Sequence, residues 1–114
     1  MNDHVNILGT EYAIRHEKKE TCEIIKDSSG ICDTSTKILW VADNGNPKPD
    51  TKQDIVSYEK LVLRHEIIHA FMFESGLANN SHDIDAWAED EELIDWIAIQ
   101  SPKLLKAFEE AGAL

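Results

Sequence analysis

The pattern of apolar and polar residues changes character near residue 50. Before it, apolar residues come in short runs broken by turn-forming clusters. Val5 to Leu8 and Thr10 to Ile14, on either side of Gly9, read as one or two short strands. Thr21 to Ile25 reads as another, ended by the turn cluster Asp27-Ser28-Ser29-Gly30. Lys37 to Asp43 (KILWVAD) is the clearest strand, rich in β-branched and aromatic residues. Its alternation puts Ile38, Trp40 and Ala42 on one face and Leu39 and Val41 on the other, so one set must pack on helices. Asn44 to Pro49 (NGNPKP) fits neither a strand nor a helix interior.

After residue 50 the period lengthens. Asp50 or Thr51 can cap a helix that runs to Ser75 and stops at Gly76. Its apolar residues, from Ile55 to Phe73, lie nearly all the way round, which predicts a helix buried inside a domain. Leu77 to Asp83 reads as a polar loop. A second helix is expected over Asp85 to Ile99, with acids in its first turn as the helix dipole prefers, and a third from the Ser101-Pro102 cap to Gly112. Strands first and helices after predict an α+β fold: a small antiparallel or mixed N-terminal sheet packed on a buried helix and two C-terminal helices. Residues 1–114 are read as a single domain.

Composition narrows the function classes. The chain has 42% hydrophobic and 29% charged residues, as expected of a globular protein. Its net charge of −11, with scattered Lys and Arg, offers no basic stripe for phosphates, so nucleic acid is not an expected partner. The acidity is read as a solubility feature, with preference for a basic peptide as the alternative. No apolar run approaches the roughly 18 residues of a membrane span, so no membrane partner is expected. The start, MNDHVNILGT, lacks the basic and apolar regions of a signal peptide, and a cytoplasmic location is expected. Cys22 and Cys32 are too few for a disulfide scaffold and are read as structural thiols.

The chemistry is concentrated in His65-Glu66-Ile67-Ile68-His69, an H-E-x-x-H motif inside the first predicted helix. Residues i and i+4 share a helix face, so both imidazoles can grip one ion. Glu66 is offset by one residue's rotation, off the metal but close enough to take a proton from water. Chance alone would give the motif in roughly two in a hundred chains of this composition, so a third ligand has to decide. His82, Glu89, Glu91 and Glu92 are the downstream candidates. Glu91 and Asp95 are four apart and can share a helix face: Glu91 as the ligand, Asp95 as acceptor of the outer N–H of a ligand histidine. Tyr58, one helical repeat before His65, and His82, in the following loop, are candidate helpers for an oxyanion. The strand Lys37 to Asp43 is expected to lie along the cleft and pair with a peptide.

HEIIHAFMFESGL followed by DEELIDWIA resembles the gluzincin clan of metallopeptidases, in which H-E-x-x-H is followed by a glutamate ligand in an N-E-x-x-x-D helix. Asp90 stands where the clan often has asparagine, which keeps Glu92 open as an alternative to Glu91. In size the chain is similar to small phage-type zinc metallopeptidases and, more distantly, to minigluzincins. Gly30-Ile31-Cys32-Asp33 followed by KILWVAD resembles the segment before their metal helix. The resemblance implies one Zn²⁺ on His65, His69 and Glu91, with Asp95 orienting His65 and Glu66 as general base. The expected activity is hydrolysis of a peptide or protein substrate by an intracellular endopeptidase of a phage or mobile element. The alternative is a non-catalytic or latent zinc-stabilised module that binds protein partners.

Overall fold

In the computed structural model, which describes residues 1–114, the first part of the chain forms a four-stranded mixed sheet and the rest lays helices against it. The strands are β1 (His4–Ile7), β2 (Thr10–Lys18), β3 (Gly30–Asp33) and β4 (Ile38–Asp43), arranged β1-β2-β4-β3. Two antiparallel hairpins, β1–β2 and β3–β4, are joined by the parallel pair β2–β4. The first hairpin closes through Leu8 and Gly9, with φ of 50° and 92°. Two positive φ values are what a two-residue hairpin turn requires if its twist is to match the strands.

One face of the sheet meets helix α1 (Ile55–Glu74). Ile7, Tyr12, Ile14 and Leu39 form the core there with Ala70, and Leu63 and Ile67 pack against them. Leu39 and Val41 are fully buried, and the Leu39 side of β4 is thus the set that packs on the helix. Trp40 lies on the other side, its indole N–H buried without a partner.

The helix begins later than Asp50 or Thr51. The Thr51 hydroxyl is used in a turn, accepting from Lys48 N at 2.9 Å and donating to the Lys48 carbonyl at 3.0 Å. Asp54 caps instead, accepting from Ser57 N at 3.1 Å. Nor is α1 enclosed on every side. Its buried stripe is Glu59, Val62, Glu66 and Ala70, while Val56 is 65% and Phe71 41% exposed. Two of the four residues on that stripe are glutamates.

Three other expectations are corrected. Thr21 to Ile25 is not a strand but a run of turns, anchored by the fully buried Ile25. The strand of that region is β3, four residues long, which forms because it can hairpin back onto β4. Asp33 Oδ1 organises the turn between them, accepting from Ser35 N, Ser35 Oγ and Thr36 N. Consequently β4 is an interior strand with both edges occupied, so the segment Lys37 to Asp43 cannot pair with a peptide; the sheet's edges belong to β1 and, beside β4, to β3.

The two expected C-terminal helices are one helix. After the short α2 (Leu77–Asn80) and a 3₁₀ turn (Trp87–Glu89), α3 runs from Glu91 to Glu110 with Pro102 inside it. Proline has no N–H to offer the carbonyl four residues earlier, which would normally end a helix. That carbonyl is Ala98's, and the Arg64 Nε of α1 donates to it at 2.7 Å. The Ser101 hydroxyl donates to the preceding carbonyl, that of Ile97. With the Ala98 acceptor satisfied, the helix continues. No helix is long and apolar enough to cross a membrane.

Candidate metal centre

The centre forms where the middle of α1 meets the first turns of α3. Asp90 caps α3 by accepting from Leu93 N at 3.1 Å, which fixes the register of the residues that follow. Glu91 is the first helical residue and Asp95 stands one turn on, both turned toward α1. On α1, His65 and His69 are one turn apart with ring centroids 4.8 Å from each other.

The donor atoms converge. Glu91 Oε2 lies 2.9 Å from His65 Nε2, and Glu91 Oε1 lies 2.9 Å from His69 Nε2. The two Nε2 atoms are 3.1 Å apart. Behind them, Asp95 Oδ1 is 2.6 Å from His65 Nδ1. A carboxylate at that distance accepts the Nδ1–H and turns the Nε2 toward Glu91 and His69. Burial lowers the pKa of His69, which favours the neutral, ligating form of that ring. Two imidazole nitrogens and a carboxylate thus face one point. Zinc bonds of about 2.0–2.1 Å in a tetrahedron place ligand atoms roughly 3.3 Å apart, close to the separations found here. The residues present therefore fit a zinc ion.

Glu66 is placed differently. Its Oε2 is 4.0 Å from His65 Nε2, and only 7% of the residue is exposed. Burial raises its pKa to about 7; the carboxylates of Glu91 and Asp95 push the same way, and His65 opposes. Gly30 at the start of β3 makes room for it. A Cβ there would sit 2.6 Å from Val62 Cγ1 and 2.8 Å from Glu66 Oε2.

A cleft of about 530 Å³ opens on these groups, lined by His65, Glu66, His69, Glu91 and Asp95 together with Tyr58, Ser29, Gly30 and Ile99. The chain matches no protein-family model, no curated protein and no solved structure. The arrangement of these residues is therefore the basis for a functional reading.

The five residues read from the two sequence motifs are gathered in this one cleft. Tyr58 also reaches it, its hydroxyl donating to Ser29 Oγ at 2.9 Å. His82 does not: it lies outside, with Nε2 3.6 Å from Glu89 Oε1. Both Glu91 and Glu92 are exposed, but Glu92 forms no ion pair with either histidine, whereas Glu91 pairs with both.

Several residues around the cleft were not legible as site residues. Ser29 belongs to a cluster that signals only a turn, yet it forms part of the wall. A second group, His16, Asp43 and Glu59, also brings potential ligand atoms together. There, however, Glu59 is already satisfied: Oε1 pairs with His16 Nε2 at 2.6 Å, and Oε2 accepts from Asn44 N and Nδ2 at 2.8 and 3.0 Å. That network fastens the end of β4 to α1. The Cys32 thiol has its pKa pushed up to about 12 by burial, with the charges of Glu66 and Asp33 adding to the effect, so it stays protonated and structural.

Proposed function

We propose that the protein is a small zinc-dependent endopeptidase of the gluzincin kind, with His65, His69 and Glu91 as metal ligands and Glu66 as general base. The observation that carries this reading is the Glu91 carboxylate lying 2.9 Å from both Nε2 atoms while Asp95 holds the other side of His65. An ion pair alone would not require both imidazoles to turn the same nitrogen toward one carboxylate. Two free thiols, Cys22 and Cys32, suit the reducing interior of a cell, bacterial or phage-infected.

A zinc ion held by His65, His69 and Glu91 would supply Lewis acidity and make a nearby water a stronger acid. The rest falls to the chain's own groups. Glu66, buried beside the ligand histidines, accepts a proton from the water that attacks the scissile carbonyl and delivers it to the leaving amine. Asp95 keeps His65 in one tautomer and one orientation throughout. Tyr58 is within the cleft to support the developing oxyanion.

The substrate's seat is the open edge of β3. Ala42 N donates to the Ser29 carbonyl at 2.9 Å, and the register pairs Gly30 with Val41. In an antiparallel ladder the alternate residues point outward, so Gly30 and Cys32 present their N–H and C=O groups to an incoming strand. Gly30 also abuts Glu66, which brings a backbone paired there to the general base.

The test combines metal content with hydrolysis. Protein purified without added metal is expected to carry one zinc, and His65→Ala, His69→Ala and Glu91→Ala to lose it, while Glu92→Ala retains it. Wild type is expected to cleave members of a broad peptide library, followed by mass spectrometry, in a chelator-sensitive way. Glu66→Gln should keep zinc and lose at least about 10²-fold in rate, as for a positioned base. Normal zinc content in Glu91→Ala would refute the ligand set. Zinc without cleavage would leave a metal-stabilised binding module.

A further inference from the structure

A second cavity, of about 420 Å³, adjoins the cleft and differs from it in charge. Lys19, Lys48 and Lys52 line it, with Asp50 as the only carboxylate in the wall. The chain as a whole carries −11. Lys26 and Lys37 pair with Glu23 and Glu74, whereas the three lysines in this wall, like the others of the chain, are in no ion pair and are free to meet a ligand. What sets the three apart is that they line one cavity.

One ammonium is held in place, and a second lysine has its backbone fixed. Lys52 Nζ lies 4.9 Å from the centre of the Tyr58 ring, a cation–π contact that keeps the ammonium at the cavity wall. Lys48 is fixed in the chain by the reciprocal bonds with Thr51 and by Gln53 Nε2, which donates to its carbonyl at 2.8 Å. The cavity and the cleft share a wall made of Ser29 and Tyr58, themselves hydrogen-bonded. Ser29 is the residue just before the open edge of β3. A peptide paired with that edge and continuing past Ser29 would bring a side chain to the lysines. Another cavity that reaches Glu66 and His69 has a mixed wall, with Ile31, Met72 and Phe73 beside Glu89, and no lysine or arginine in it. The cationic wall is thus confined to the side of Ser29 and Tyr58.

We propose that the lysine-lined cavity is a specificity subsite for a carboxylate side chain, and that the peptides this site acts on carry Glu or Asp on one side of the bond to be cut. The proposal rests on the endopeptidase reading. It also reverses the preference for basic peptides that net charge alone would suggest, because recognition is decided by the nearest charges and those at 10 Å or more are largely screened. An acidic residue is accepted at this cavity and disfavoured elsewhere along an acidic protein, which makes the preference positional.

The experiment uses Glu66→Gln protein as purified and fluorescein-labelled decapeptide pools in which one fixed Glu, Gln or Lys is moved through the positions. Binding is read by anisotropy. Glu is expected to bind about tenfold more tightly than Gln, and Lys more weakly than either, at positions on one side of the pool only. Lys48→Glu combined with Lys52→Glu, both on exposed side chains, should invert the order, whereas the control Lys103→Glu with Lys106→Glu on α3 should leave it unchanged. Zinc content, measured in parallel, should be the same in all. Equal binding of the Glu, Gln and Lys pools, or a preference that survives reversal of Lys48 and Lys52, overturns the proposal. Hydrolysis by the wild type separates the two readings. A carboxylate preference in binding with no cleavage keeps the subsite and removes the peptidase. Cleavage indifferent to Glu keeps the peptidase and removes the subsite.

Discussion

Replacing Glu66 with Gln should make the metal-free protein more stable while removing its activity. Burial raises the Glu66 pKa from 4.5 to about 7, so the folded chain binds this proton more tightly than the unfolded chain does. The stability linked to the protonated group is fully present below about pH 4.5 and is lost as pH rises through about 7. That rise corresponds to about 3 kcal/mol of penalty on the folded state at about pH 8, and to almost none at about pH 4. Gln has nearly the same shape and no charge to desolvate. Its amide still has to be buried beside Gly30 and Val62, which costs about 1 kcal/mol and leaves a net gain of about 2 kcal/mol. For a domain of this size that is an increase in melting temperature of about 10 °C. Urea unfolding of both proteins in the presence of chelator, at about pH 8 and about pH 4, measures it. The gain should be confined to the higher pH. A variant that is destabilised, or equally shifted at both pH values, would show that Glu66 is not a buried carboxylate held against its own desolvation.

Two further outcomes follow from the contacts behind the site. Asp95→Ala should keep the fold but weaken zinc about 10- to 100-fold in a competition titration, because His65 loses the acceptor that orients it; unchanged affinity would separate Asp95 from the metal centre. Arg64→Met should cost about 2 kcal/mol by leaving the Ala98 carbonyl without a donor, and clearly less in a Pro102→Ala background, where residue 102 regains an N–H; equal costs in the two backgrounds would refute the account of how α3 passes its proline.

The α+β class was readable from the chain because it depends on local signals: short β-branched runs before residue 50 and long apolar periodicity after it. The grouping of His65, Glu66 and His69 was readable for the same reason, since helical spacing alone puts them together. Glu91 and Asp95 could be matched to each other by their four-residue spacing, but the choice of Glu91 over Glu92 needed the packing of α3 on α1. What was misread depends on distant partners. Thr21 to Ile25 has strand-like residues but no strand beside it, while Gly30 to Asp33 is too short to stand out and becomes β3 because β4 is there to pair with. Pro102 signals a helix end by every local rule, and only a side chain from another helix, Arg64, removes the reason for it. The lysine-lined cavity was hidden because Lys19, Lys48 and Lys52 are separated in sequence and outweighed in any count of charge.

The placement of the ligands on two helices has a consequence in polymer terms. His65 and His69 lie on α1 and Glu91 on α3, with only short helical turns between Ser75 and Asp90. An ion held by all three is a cross-link that closes a ring of about 22 residues, and by loop-closure entropy a link of that size restricts the unfolded chain by about 3 kcal/mol. For a chain this short, that is a substantial share of the roughly 5–15 kcal/mol by which domains are stable. The same atoms that would polarise a peptide bond would also keep the C-terminal helix in place, so loss of the ion would loosen the frame of the cleft as well as its chemistry.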